Sequence, residues 1–138
     1  AGAGVGEHVE SSKVSTEAGP GALGRCGHAG RAGARLYTAG QVPLDPDTME
    51  RVEGGIEEQT HRVMRNLAAV LAAASADFGD VVKTMVFLQD MGEFAAFNEI
   101  YGEYFAGAVP PARSTVEVAG LPRGARVESE LVARLRGD

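Results

Sequence analysis

Apolar positions along the chain fall into two helical stripes and several alternating runs. In IEEQTHRVMRNLAAVLAAASA, Ile56, Val63, Leu67, Val70, Leu71 and Ala74 recur at helical spacing, with Glu57, Glu58, Arg62 and Arg65 off the stripe. This predicts a helix over about 56–74. Glu57 and Glu58 in its first turn suit the positive end of the helix dipole. A second helix is predicted after Asp90, whose spacing to Glu93 resembles a capping box. Phe94, Phe97, Ile100, Tyr101, Tyr104 and Phe105 form its stripe, which holds five of the chain's eight aromatics (five Phe, three Tyr). A face so rich in rings must pack against a sheet. Between the helices, DVVKTMVFLQD alternates Val82, Thr84, Val86 and Leu88 against Val81, Lys83, Met85 and Phe87, the period of a strand. ARSTVEVAGL and ARVESELVARL read as two late strands around a turn at 121–124. RCGHAGRAGA and ARLYTAGQV read as an early pair joined by a turn. The stretch PLDPDTMERVEGG, with two prolines and a Gly pair, is turn-rich.

The predicted order is strand, strand, helix, strand, helix, strand, strand. That is an α+β domain, a mixed β-sheet with two helices packed on one face. Several strands carry apolar residues on both faces, and two helices can cover only one of them, so the open face is expected to be covered by self-association. Residues 1–12, mostly Gly, Ala, Ser and Glu, are read as a disordered tail ahead of a single domain at 13–138.

Composition narrows the classes of function. With 138 residues, 44% hydrophobic and 23% charged, the chain has one soluble domain's length and make-up. The lone Cys26 permits no internal disulfide and fits a reducing, cytoplasmic setting. A net charge of -6 argues against a phosphate backbone as partner, so nucleic acid is not expected. No apolar run is long enough to span a bilayer, so no membrane partner is expected either.

The candidate chemical groups are Cys26, His8, His28, His61, Asn98, Arg113 and Glu128. Neither GRAGAR nor LGRCG completes a nucleotide-binding loop. Cys26 and His28 would share a face of a strand, but two ligands do not make a zinc site. As a pair they are either a nucleophile with its base or a small buried hydrophobe beside a histidine. Arg113 follows the rigid Pro110-Pro111-Ala112 and offers a planar fork for a carboxylate, or else a surface salt bridge. Glu128 and Glu130 alternate onto one face of the last strand, either as a solvated stripe or as a place for a catalytic carboxylate.

Taken together the motifs resemble the Rid family, the reactive-intermediate deaminases also called YjgF-type or endoribonuclease L-PSP-type proteins. The resemblance runs from Val14-Ser15-Thr16 through YTAGQVPLDP, EEQTHRVMRNL, DVVKTMVFLQDM, EFAAFNEIYGEYF and PPARSTVEVAGLPRGARVESE to Leu131 and Ala133. It implies a chorismate-mutase-like subunit that forms a homotrimer with three clefts between subunits. It implies hydrolysis of amino-acid-derived imines and enamines, typified by 2-aminoacrylate, to 2-keto acids and ammonia, with no metal or organic cofactor. Arg113, in the family's P-x-R-S/C motif, would grip the substrate carboxylate. Glu128, the first glutamate of RVESE, would activate the attacking water. The resemblance adds Thr115 through its backbone, Gly40 of TAGQ through its backbone, and Asn98 of the second helix.

The chain also departs from the family's usual pattern. Where G-P-Y-S-Q-A is usual, it has Gly24-Arg25-Cys26-Gly27-His28-Ala29, so Cys26 replaces the tyrosine that closes the site. Where S-G-Q is usual, it has Ala39-Gly40-Gln41. Two alternatives follow. One is a cleft altered at Cys26 and Ala39 for a larger pathway intermediate, with the thiol as a substrate contact or recruited into the reaction. The other is a trimer that binds a keto acid without turnover. Endoribonuclease activity, attached to part of the family, is disfavoured by the acidic balance and the lack of a basic stripe.

Overall fold

The computed structural model describes residues 11–21 and 27–136. The elements follow as β1 (Ser11–Val14), β2 (Ala29–Ala32), β3 (Arg35–Thr38), α1 (Ile56–Ala73), β4 (Val81–Leu88), α2 (Phe94–Tyr104), β5 (Ala112–Glu117) and β6 (Val127–Arg134). The strands form one sheet in the order β1-β2-β3-β6-β4-β5. Only β4 and β5 run parallel, joined through α2; the other neighbours are antiparallel. Among the described residues no helix is long and apolar enough to cross a membrane.

The predicted order holds with one addition, β1, which takes in Ser11 and Ser12 from the segment read as tail. Their register against Ala32 and Arg31 of β2 explains the difference. Composition measures what side chains can bury, whereas this strand is held by its backbone ladder. Residues 1–10 lie outside the described residues. Between β2 and β3 the turn places Gly33 at φ 60°, the first central position, as a tight type II′ hairpin requires.

Helix α1 ends at Ala73, with Ala74 as its cap. Glu58 does more than complement the dipole: the Gly55 amide donates to its Oε1 at 2.8 Å. Its own backbone amide and that of Gly55 hold its carboxyl below the usual glutamate value. Asp90 does cap, accepting from the Gly92 amide at 2.8 Å, but what it caps is a short 3-10 turn at Met91–Glu93 leading into α2. Glu93 does not close a box onto Asp90. Its carboxylate instead accepts from Arg126 at 2.7 Å, tying the start of α2 to the start of β6.

The strict alternation read in β4 breaks at Val82. Val81 pairs with Ala133 and Lys83 with Val132, so Val82 is an extra residue, a β-bulge that resets the two-residue period. Val81 therefore joins Thr84, Val86 and Leu88 in the core, and Val82 is left 49% exposed. The other face of β4 carries Lys83, Met85 and Phe87, all partly exposed, as the two-faced apolar pattern implies.

The core lies between the sheet and the helices, with Val63, Leu67, Val70 and Leu71 of α1 and Phe97 of α2 packed on Leu36, Val86, Leu88, Val127 and Ala133. Two buried amides, Gln59 and Asn66, interrupt the apolar stripe of α1. Asn66 donates to the carbonyls of Val42 and Leu44 at 3.1 and 3.0 Å and accepts from Arg62 at 3.0 Å. Gln59 accepts from the Arg126 amide at 2.9 Å. These contacts seat the β3–α1 connection and the entry to β6. Asn66→Leu leaves the buried Leu44 carbonyl without its partner and the Val42 carbonyl with only the Leu44 amide, and is expected to cost about 1–3 kcal/mol by urea unfolding. A loss below that range would show that water or a relaxed loop replaces the amide.

Candidate active site

Glu128 sits in β6 between buried Val127 and Ser129, so its side chain emerges on the sheet face opposite the helices. There it meets the chain that leaves β3. Gln41 exchanges two backbone hydrogen bonds with Ser129, at 2.8 and 3.1 Å, which draws Gly40 against the Glu128 carboxylate. A Cβ on Gly40 would overlap that carboxylate and stand 2.8 Å from its Cδ. Close approach, and not backbone conformation, is what demands glycine here, since Gly40 is not among the glycines at positive φ. Both residues line a cavity of about 220 Å³, together with Ala39, Val42, His28 and Pro20. Burial, and secondarily the charge of Glu130, pushes the Glu128 carboxyl above its ordinary value. A half-buried carboxyl with a raised pKa beside a cavity has the character of a general base or acid.

A second polar cluster lies at the other edge of the molecule. Arg113 of β5 is paired in register with core-facing Thr84, so it projects toward the helices. Its Cζ lies 4.7 Å from the centre of the Tyr101 ring and 5.2 Å from that of Phe94, and its Nη1 donates to Asn98 Oδ1 at 2.6 Å. The Tyr101 hydroxyl is paired with Thr84 Oγ1 at 2.8 Å, and burial raises its pKa. Ring stacking and a side-chain acceptor hold the guanidinium plane, with further N–H donors available for a planar anion. The rim of this cavity, about 380 Å³, includes Pro110 and Pro111. Among the described residues no three His, Cys, Asp or Glu side chains come together as a metal site would need.

The family model for endoribonuclease L-PSP matches residues 16–135. This chain belongs to that family, the Rid or YjgF proteins. It is 55% identical over 102 residues to protein DfrA of Myxococcus xanthus, covering 74% of this chain and 77% of the relative. It is 45% identical over 120 residues to the mouse 2-iminobutanoate/2-iminopropanoate deaminase, covering 87% and 88%. A Rid-family protein from Yersinia pestis has a crystal structure that superposes with a TM-score of 0.89 at 41% identity, covering 91% of this chain and all of that one.

Set on this Rid fold, the residues singled out in the sequence fall into two groups. Gly40 and Glu128 are together, and so are Arg113 and Asn98. Thr115, two residues beyond Arg113, shares its sheet face, and its hydroxyl is buried with no partner among the described residues. The two groups do not meet within one chain. Glu128 is in register with Phe87, and Phe87 with Val116, on the face opposite Arg113. Cys26 and Arg25 lie outside the described residues, so the expected roles of Cys26 are not addressed by this structure. His61 lines neither cavity, its Nδ1 sharing a 2.8 Å hydrogen bond with the Tyr104 hydroxyl.

Reading the residues alone left Phe94 and Tyr101 as core. Tyr101 is indeed 7% exposed, yet both rings also carry Arg113. Phe94, Asn98 and Tyr101 recur at i, i+4 and i+7, one helical face with a polar residue set between two rings, and that was the available signal. The sequence offered His28 as a base for Cys26 or as its neighbour on a strand. It lines the Glu128 cavity, but both of its ring nitrogens are bound to backbone.

Gly40→Ala is expected to force the Glu128 side chain outward while changing stability by no more than about 1 kcal/mol. Carbon-13 titration of the Glu128 carboxyl should then move back toward 4.5, its ordinary value. An unchanged titration would mean that Gly40 does not set the position of the carboxylate.

Proposed function

We propose that the chain hydrolyses 2-imino acids, and the enamines in equilibrium with them, to 2-keto acids and ammonia, in clefts between the subunits of a homotrimer. Membership in the Rid family and 45% identity to a protein named as an imine deaminase support the reaction class. The observation that carries the arrangement is the separation of Arg113 from Glu128 onto opposite faces of one sheet. A site using both must take them from different copies. Two features favour such an assembly: the partly apolar open face, with Met85, Phe87 and half-exposed Tyr37 and Val116, and the unpaired edge of β5.

In this reading the guanidinium of Arg113 takes the substrate carboxylate in a bidentate grip, with Asn98 and the Tyr101 ring fixing its plane. Water bound at Glu128 attacks C2 of the iminium. The carboxylate accepts the water's proton as the C–O bond forms, and the C=N electron pair moves to nitrogen. The proton then passes from Glu128 to the amine nitrogen; as the C–N bond breaks, the hydroxyl proton returns to the Glu128 carboxylate, the oxygen's electron pair closes the carbonyl, and ammonia and the 2-keto acid leave, after which Glu128 loses that proton to solvent. Arg113 binds in ground and transition states alike, whereas Glu128 acts on the reacting atoms. Removing the first should therefore raise KM, and removing the second should lower kcat.

Turnover of 2-iminopropionate, made in situ, is the direct test. Arg113→Ala is expected to lose about 10- to 100-fold in kcat/KM, the worth of a charge-assisted pair. A rate insensitive to Arg113 sinks the proposal. The shared site has its own test. When the impaired Arg113→Ala and Glu128→Gln proteins are unfolded and reassembled as a 1:1 mixture, a cyclic trimer regains one intact site in each mixed assembly, about a quarter of the parental number over the whole mixture. No recovery would show that both residues act within one chain.

Because Glu128 must be ionised to accept a proton, and burial raises its pKa, kcat is expected to fall on the acid side through a limb above 4.5. In Glu128→Gln that limb should disappear along with most of the rate.

A further inference from the structure

Outside the reacting groups, one side chain of the Glu128 cavity is bound on both edges. His28 is 7% exposed. The Thr16 amide donates to its Nδ1 at 2.9 Å, which requires that nitrogen to be unprotonated. The proton is therefore on Nε2, which donates to the Pro20 carbonyl. The two backbone groups belong to one strap, residues 16–21, between β1 and the residues that precede β2. Within it, Thr16 Oγ1 accepts from the Ala18 amide at 3.1 Å, and Gly19 and Pro20 are buried. Pro20 and Gly21 then form part of the cavity wall that Ala39, Gly40 and Glu128 complete. The imidazole is thus the pin between that wall and the start of β2.

We propose that His28 is a positioning residue that holds the strap as a wall of the Glu128 cavity, and that protonating it frees the Thr16 end of the strap and loosens the site's grip on small substrates. The functional half of this statement rests on the deaminase reading above; the structural half does not. A neutral imidazole presents one acceptor and one donor, and the strap uses both. An imidazolium has two donors and no acceptor, so the Thr16 amide would face an N–H in place of a lone pair. That contact must open or turn. The imidazolium keeps its Nε2–H bond to the Pro20 carbonyl, and the Gly21 amide still meets Met49 Sδ at 3.2 Å, so loss of the Thr16 bond leaves the wall pinned at one side. Among the described residues, the charged groups on the elements around His28 are Lys13 of β1, whose side chain packs where a Cβ of Gly27 would stand, Glu17 of the strap, and Glu128 of β6 across the cavity.

A glutamine side chain also has one acceptor and one donor but does not titrate, which separates pinning from pH response. The experiment follows exchange of the Thr16 amide by NMR from about pH 8 to about pH 5, corrected for intrinsic rates, in the intact protein. Expected is protection in the parent at the upper end that is lost at the lower end, protection throughout in His28→Gln, and none in His28→Leu. Glu128→Gln should follow the parent, which excludes the neighbouring carboxyl as the titrating group. Protection persisting in the parent at low pH, or in His28→Leu, overturns the proposal. With 2-iminopropionate, KM of the parent should rise about 3- to 10-fold over the same interval, the worth of one hydrogen bond. In His28→Gln KM should stay level, and the rise should be separable from any change in kcat. If no variant turns over the imine while the exchange pattern holds, the pin stands and the deaminase reading falls. A level KM in an active parent overturns the proposed effect on the site.

Discussion

The buried amide of Asn66 fixes where the floor of the site lies. It stands on the core side of α1 and accounts for two carbonyls, those of Val42 and Leu44, in a connection that makes only a single bridge to the sheet. Without the amide the Leu44 carbonyl would be unpaired in a dry interior, at a cost on the order of a kcal/mol or more, and the Val42 carbonyl would keep only the Leu44 amide, so one path of the connection is strongly preferred. That path sets Gln41 across from Ser129 and Gly40 against Glu128. A polar residue deep in the core thus determines the surroundings of a carboxylate on the far side of the sheet. Gln59 does the same for the chain entering β6, and the Glu93–Arg126 pair reinforces it from α2.

The constraint is invisible to hydrophobic periodicity, and that explains what the sequence did and did not disclose. Both helices and the order of strands β2 to β6 were legible, because long stripes and alternating runs record burial directly. The bulge at Val82 was not: two adjacent valines satisfy either parity, and only pairing with β6 shows which one is extra. Strand β1 was missed because its polar residues are held by backbone, and Asn66 because an amide on an apolar stripe looks like an interruption. Gly40 came from family resemblance alone; as a residue it is one glycine among 19. Asn98 likewise came from resemblance, although its place between two rings on α2 carried a readable meaning.

A sheet separates whatever its two faces carry, and here it separates the guanidinium from the carboxylate. Within one chain this keeps them from forming an ion pair, which would hold the carboxylate's pKa down and occupy the arginine's fork. Arg113 is instead satisfied by an amide oxygen and two ring faces, none of them charged, so its full positive charge remains for an anion. Glu128 has no cation beside it in the described chain, and Glu130 stands on the same face. If subunits bring the two groups to one cleft, they meet as separately prepared groups, each held by its own element.

That preparation bears on which molecules suit the cleft under the proposed reading. A 2-iminium acid carries a negative carboxylate one bond from its electrophilic, positively charged carbon–nitrogen unit. Laid between Arg113 and Glu128, it matches each end with its opposite charge, while a simple carboxylate would turn a neutral or repelled tail toward Glu128. A plain amine would leave the arginine unmatched. The net charge of -6 makes the surrounding field unfavourable to anions in general, so the local arginine must overcome it. Selectivity then resides in the distance between the two charges, which the substrate must span. On that argument Ala39, which lines the Glu128 cavity, can alter the room around a substrate's side chain without changing the charge pattern that selects its reacting core.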